Sequence, residues 1–304
     1  MTGYLQILVD ALNLGSIYAL CALGIALIFG VMRLVNFAHG DFIAFCVFAM
    51  LWPSIDAAAI VFAGNLPFWL LVPLLLAAGA GLSVLSEIVV FRRFRNASPA
   101  TMMIASFALG FVIKYFLLML FSSRPKSIGL WAALGGQFEF AGLRIQYLPV
   151  VNICVTVVVL VALTLFLKRT RFGLEMRAAA ENFTMARMLG VRANRVIMLA
   201  FAISGMLAAA VGMILAAQTG TADIQMGANV MLVAFIATVI GGLGSLPGAV
   251  IAGFLIGLIS TFMQAKLPVD ARPFRDAFVY AAVIATLIWR PNGIFAPKSA
   301  KQRV

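Results

Sequence analysis

The stretch "LNLGSIYALCALGIALIFGVMRLVNFAHGDF", Leu12 to Phe42, decides the architecture. From Leu14 to Met32 it holds no charged side chain, so a helix built from it is apolar on every face. Such a helix is stable only inside a large core or a bilayer. The polar break "RLVNFAHGDF" follows, and then a second apolar run. Outward from this point the pattern repeats along the chain. Helical spans are predicted near 5–31, 41–62, 67–91, 100–121, 147–167, 196–217, 227–241, 247–265 and 275–289. The seventh and eighth are separated only by "GGLGSLPG" and are short enough to form a tight, partly re-entrant hairpin. Gly253 and Gly257 in the eighth are a small-xxx-small pair for close helix packing.

Composition agrees. The chain has 304 residues, of which 64% are hydrophobic and 11% charged, with a mean hydropathy of +1.09. Soluble domains carry about 45–50% apolar and about 25% charged residues. A soluble enzyme, a disordered chain and a nucleic-acid-binding module are thereby excluded. The expectation is an all-α polytopic membrane protein of about 8–9 transmembrane helices, with residues 1–304 forming a single transmembrane domain in the lipid bilayer. Cys21, Cys46 and Cys154 all lie in apolar stretches and form neither a disulfide framework nor a metal cluster. No cleavable signal peptide is expected, since the first basic residue is Arg33.

The net charge of +12 reads as topology. Arg33, Arg92, Arg93, Arg95, Lys168, Arg169, Arg171, Arg177, Arg187, Arg192, Arg195, Arg290, Lys298, Lys301 and Arg303 fall on one face. Only Lys114, Arg124, Lys126, Arg144, Lys266, Arg272 and Arg275 fall elsewhere. By the positive-inside rule nine spans then place the N-terminus outside and the C-terminus in the cytoplasm. Residues 122–146 form an outer, periplasmic loop with Trp131, Phe138 and Phe140. Residues 168–195 form a cytoplasmic loop.

That cytoplasmic loop reads "KRTRFGLEMRAAAENFTMARMLGVRANRV". Leu174, Ala178, Met185, Met188 and Leu189 recur at roughly helical spacing, and Gly190 is a C-cap candidate. Such an amphipathic helix lies on headgroups, solvates a connection, or docks in a partner's cleft. The break at 33–42 is either an interfacial turn or a broken helix whose freed backbone lines a substrate path. Asn36, His39, Gly40 and Asp41 are then path candidates, as are Gly241, Gly242 and Gly244 of the second glycine-rich break. Asp41 could pair with Arg33 across the turn. Glu87 is expected in a structural ion pair with Arg92, and Lys114 either snorkels or faces a lumen. No phosphate-cradling loop, zinc-protease helix or nucleophile elbow occurs. There is also no carboxylate-rich membrane network of the kind that runs an ion gradient.

Five blocks carry a family resemblance over about residues 8–297. They are the opening hairpin quoted above, "SEIVVFRRFRN", "RFGLEMRAAAENFTMARMLGV", "AFIATVIGGLGSLPGAVIAGFLIG" and "RPNGIF". The chain resembles the H-type Liv permeases, membrane subunits of ATP-binding-cassette importers for branched-chain amino acids in the bacterial inner membrane. The resemblance implies that the 168–195 loop is a coupling loop for separate ATPases, at Arg177, Ala178, Ala179, Ala180, Glu181, Ala186 and Gly190. A strict Glu-Ala-Ala order is absent, since the alanines precede Glu181. Implied partners are a second, M-type permease, two ATPase subunits holding ATP and Mg, and a periplasmic binding protein. No cofactor is expected on this chain. Gln218, Thr219, Asp223 and Gln225 are outer-mouth candidates where that binding protein delivers solute. Related permeases for urea, short amides or aromatic carboxylates, and a stand-alone secondary transporter, are the alternatives.

Overall fold

One helix organises the chain. In the computed structural model, which describes residues 2–54, 56, 61, 67–95, 97–128, 136–140, 143–290 and 293–295, α1 runs from Thr2 to Met32. Its 31 residues reach about 46 Å, well beyond the hydrocarbon thickness. Its most apolar stretch is 83% buried within this single chain, so its neighbours are protein on most sides. Those neighbours are α5 (Tyr147–Arg169), α8 (Ala193–Thr219), α9 (Met226–Gly241) and α10 (Leu246–Lys266). The remaining helices are α2 (His39–Phe48), α3 (Phe68–Ser86), α4 (Pro99–Phe121), α6 (Arg171–Glu181), α7 (Phe183–Met188) and α11 (Arg275–Trp289).

Water drives none of this packing, because lipid is as apolar as the helix surfaces. Close dispersion contact between helices has to do it, and small residues permit that contact. Gly253 and Gly257 behave as their spacing predicts. A methyl group on Gly253 would stand 2.7 Å from Ala19 Cα, and one on Gly257 would run into Gly15. Gly79 of α3 and Gly205 of α8 face each other so closely that a methyl on either would strike the other's carbonyl oxygen. Gly40 of α2 sits on Gly227 of α9 in the same way, with a methyl only 3.0 Å from the Gly227 carbonyl oxygen.

Among the described residues, six helices are long and apolar enough to cross a membrane: Tyr4–Met32, Trp69–Phe91, Pro99–Phe121, Tyr147–Arg169, Ala193–Thr219 and Leu246–Lys266. The chain is thus a mostly helical polytopic membrane protein. The eighth expected span is one of the six, as α10. The seventh, α9, has 16 residues, about 24 Å. The peripheral helices present apolar side chains outward: Ile104, Val112 and Met119 on α4, and Val158 and Val161 on α5, are all more than half exposed.

The second predicted span differs. The helix expected over 41–62 ends at Phe48, after ten residues and about 15 Å. Ala49 to Leu51 close a tight turn, and Pro53, which has no N–H to donate, follows it. The carbonyl groups freed by this break find a partner in Lys126, which is 1% exposed. Its Nζ donates to the carbonyls of Ser54, at 2.8 Å, and of Asp56. Sequence reasoning counted Lys126 only as a basic residue on the outer face. Its strand β1 (Lys126–Ser127) pairs antiparallel with β4 (Thr221–Ala222). The hairpin β2 (Gln137–Phe140) and β3 (Leu143–Gln146) precedes α5. These short strands are the departure from an all-helical reading; Trp131 lies outside the described residues.

At the C-terminal end of α3 the helix widens into a π turn, Glu87–Phe91. Glu87, fully buried, binds Arg92 at 3.0 Å and also Arg95. Arg95 in turn donates to Asn194 at the start of α8. The expected Glu87–Arg92 pair is present, and it also ties α3 to α8.

Two glycine-to-alanine changes should have opposite signs. Gly81→Ala, where nothing lies within 4 Å of the new methyl, is expected to stabilise α3 by about 0.5–1 kcal/mol. Gly205→Ala is expected to cost about 1–3 kcal/mol by forcing α3 off α8. Thermal unfolding of the detergent-purified variants reads both.

Candidate functional site

The segment between α5 and α8 folds as two helices, because two side chains compete for its backbone. The Thr170 hydroxyl accepts from Gly173 N at 3.0 Å and starts α6. The Asn182 side chain accepts from Met185 N at 3.1 Å and starts α7. Gly173 is required at the α5–α6 corner, where a side chain would press into the Phe166 and Leu167 backbone. Gly190, at φ +88°, ends α7 in the left-handed conformation, and Val191 N returns to the Ala186 carbonyl at 3.0 Å. The single helix suggested by the spacing is thus broken at Asn182.

The break sorts the apolar residues into two sets. Met176, Ala179 and Ala186 are buried against the bundle. Leu174, Met185, Met188 and Leu189 are 61%, 59%, 77% and 85% exposed. Ala178 and Ala180 are half-buried, while Arg177 and Glu181 are exposed. The residues singled out in this loop therefore divide between an inner wall and an uncovered outer surface.

Arg33 holds the inner wall. Its φ of +56° is uncommon for a side chain of that size, and its Nη2 donates to the Ala180 carbonyl at 3.3 Å. The expected Arg33–Asp41 pair is therefore not formed: the left-handed turn sends Arg33 toward α6. Asp41 instead lies over Gly110 of α4, where a methyl would collide with its carboxylate, and Lys114 one turn further is the cation acting on it. Between the end of α1, α6 and the α9–α10 turn lies a cavity of about 220 Å³, which Arg33, Arg177, Ala180, Glu181 and Gly244 border.

The other candidates of the polar break are packed away. Asn36, 1% exposed, accepts from Ala38 N at 3.1 Å in a turn just ahead of α2. His39 is fully buried against Gly24, with Nδ1 3.3 Å from Ser204 Oγ. Asn36 Nδ2 and His39 Nε2 have no hydrogen-bond partner among the described residues. Gly40 is buried at the α2–α9 contact. Gly241 packs on the Gly248 backbone, Gly242 takes φ +97° beneath Gly293, and Gly244 takes φ +88°. Of the path candidates, Gly244 alone borders the cavity.

At the C-terminal end of α8, Thr219 Oγ1 donates to the carbonyls of Leu215 and Thr221. The Asp223 carboxylate accepts from Gln225 N at 2.7 Å and shapes the turn into α9. Gln218 does more. Its Nε2 donates to Asn13 Oδ1 at 3.0 Å, and Asn152 Nδ2 donates to the same oxygen at 3.0 Å. This amide cluster joins α1, α5 and α8. Asn13 and Asn152 went unnoticed in the sequence, although a lone amide within an apolar run was the available signal.

The comparisons with known proteins fit this geometry. The family model described as the permease component of branched-chain amino acid transport systems matches residues 7–287. The chain is 31% identical over 305 residues to the high-affinity branched-chain amino acid transport system permease protein BraD of Pseudomonas aeruginosa, covering 96% of this chain and 95% of that protein. It is 30% identical over 309 residues to LivH of Escherichia coli K12, a permease protein of the same description, with 96% and 95% covered. A shorter match, 38% over 125 residues, is to the autoinducer 2 import system permease protein LsrC of Klebsiella pneumoniae, spanning 39% of this chain and 36% of that protein.

Burial sets the expected reactivity of introduced thiols. In a chain freed of its native cysteines, His39→Cys should stay unreactive toward a charged maleimide in this arrangement, and Arg177→Cys should label readily. Mass spectrometry of the purified protein measures both.

Proposed function

The chain belongs to the family of permease components of branched-chain amino acid transport systems, and from that membership we propose that it forms half of an importer's path for branched-chain amino acids. The family consists of transport permeases, and the chain is not itself an enzyme. The relatives' transport of branched-chain amino acids favours this reading over urea, short amides, aromatic carboxylates or a stand-alone secondary transporter.

The observation that carries the mechanism is the uncovered apolar surface of α6 and α7. Leu174, Met185, Met188 and Leu189 stand out from the bundle between arginines that would hold them away from the lipid interior. Such a surface marks an interaction site. Its occupant here is a cleft on an ATPase subunit, with Arg177 to Gly190 as the coupling segment. Two ATPase subunits hold the ATP and Mg. Closing on ATP, they would move α6, and α6 would carry α1 through the Arg33–Ala180 bond and α5 through the Thr170 corner. A second, M-type permease completes the path, and a periplasmic binding protein delivers the amino acid near Gln218 and Asp223. Nucleotide thus biases two arrangements of the bundle, which is all that alternating access requires.

In this reading the chain is a single domain of the bacterial inner membrane. Its N-terminus is outside and its C-terminus cytoplasmic. The six long helices are joined by the shorter α2, α9 and α11, for nine crossings in this reading. Specificity rests mainly in the binding protein, so the permease needs little affinity along its path.

Met188→Glu and Gly190→Asp are expected to cut ATP-driven leucine uptake in vesicles by at least about tenfold while the permease still reaches the membrane. The first puts charge into the docked surface and the second strains the left-handed cap. Normal uptake and normal copurification of the ATPases with both variants would overturn the docking role.

A further inference from the structure

The cavity behind the coupling segment has a chemistry of its own. Leu27, Leu167 and Met176, from α1, α5 and α6, give it an apolar floor, and each is at least nine-tenths buried. Arg33, Arg177 and Glu181 stand around it, and among the described residues they form no ion pair. Arg33 commits one of its donors to the Ala180 carbonyl, which leaves the rest of its guanidinium fork free. Charges of both signs above an apolar floor match a molecule with a carboxylate, an ammonium group and a short hydrocarbon tail. The volume, about 220 Å³, lies below the roughly 300–1,000 Å³ of sites for drug-sized ligands and suits a single small solute.

We propose that this cavity is a cytoplasmic binding site for an aliphatic zwitterionic amino acid. The guanidinium groups of Arg33 and Arg177 take the carboxylate, Glu181 takes the ammonium group, and the tail lies on Leu27 and Met176. The proposal rests on the amino-acid reading of the preceding subsection and deepens it, because the ligand would be the imported product. The walls belong to α1, α6 and the turn between α9 and α10, so a bound molecule bridges the coupling segment to the central helix. Binding to one arrangement only stabilises that arrangement. Product accumulating in the cytoplasm would therefore hold α6 against α1 and oppose its next movement.

The test is direct binding of radiolabelled leucine to the purified full-length chain in detergent, with neither ATPase nor binding protein present. Saturable binding at one site per chain is expected. Leucinamide, which lacks the carboxylate, and 4-methylpentanoate, which lacks the ammonium group, should each compete at least about tenfold more weakly. Leu27→Trp, which fills the floor, and Arg33→Gln, which removes the guanidinium, should each weaken leucine binding at least about tenfold. Absence of saturable binding, equal competition by either analogue, or binding that survives both substitutions would overturn the proposal. If Leu27→Trp does not elute as a single species, Arg33→Gln and the two analogues decide. Leucine uptake by the complete importer is measured in parallel. Uptake without binding to the isolated chain sinks the cavity site alone, whereas an importer that carries no branched-chain amino acid sinks the underlying reading of the substrate.

Discussion

Backbone-to-backbone contact between helices is the constraint on which this structure depends. In lipid no solvent squeezes apolar surfaces together, so a bundle holds where helices come close enough for dispersion to accumulate. Here the closest approaches fall at facing small residues: Gly15 with Gly257, Ala19 with Gly253, Gly79 with Gly205, and Gly40 with Gly227. Each removes a side chain where another would stand between two backbones. The central helix is buried as a consequence, and α2, α6 and α9, which carry candidate functional residues, are positioned against it or against α8.

The second constraint is that no backbone polar group can be left bare in hydrocarbon. The chain breaks its helical ladder at the start and at the end of α2, and each break is closed by a particular side chain. Asn36 accepts from the backbone ahead of the helix, and the Ser106 hydroxyl accepts from Phe37 N at 3.3 Å. Lys126 reaches the carbonyls beyond the far end. A lysine buried this deeply is costly in charge, and carbonyl oxygens are the partners that offset that cost. The same lysine sits in β1, which pairs with β4 ahead of α9, so the break in α2 is linked to the connection between α8 and α9.

At the opposite end, one hydrogen bond and one corner connect the α6–α7 segment to the bundle. The left-handed turn at Arg33 aims its guanidinium at α6, and Thr170 with Gly173 sets the angle between α5 and α6. The segment is thereby fastened on its inner wall and uncovered on its outer one.

The sequence alone determined what local chemistry and solvent dictate. Long apolar runs specified a polytopic helical membrane protein, the Gly253–Gly257 spacing specified a packed α10, and the proximity of Glu87 and Arg92 specified their pair. Gly190 was legible as a helix cap because only a glycine accommodates that φ without strain. The tertiary structure decided everything that depends on residues far apart in the chain. The carbonyls of Ser54 and Asp56, beyond the end of α2, are met by a lysine about seventy positions later, which no local pattern reveals. The destination of Arg33 is a carbonyl of α6, not nearby Asp41, because the turn's handedness outweighs sequence proximity. The Asn13–Asn152–Gln218 cluster and the cavity beneath α6 arise only when three helices converge, and periodicity reports which face of a helix is apolar without naming the helix that will meet it.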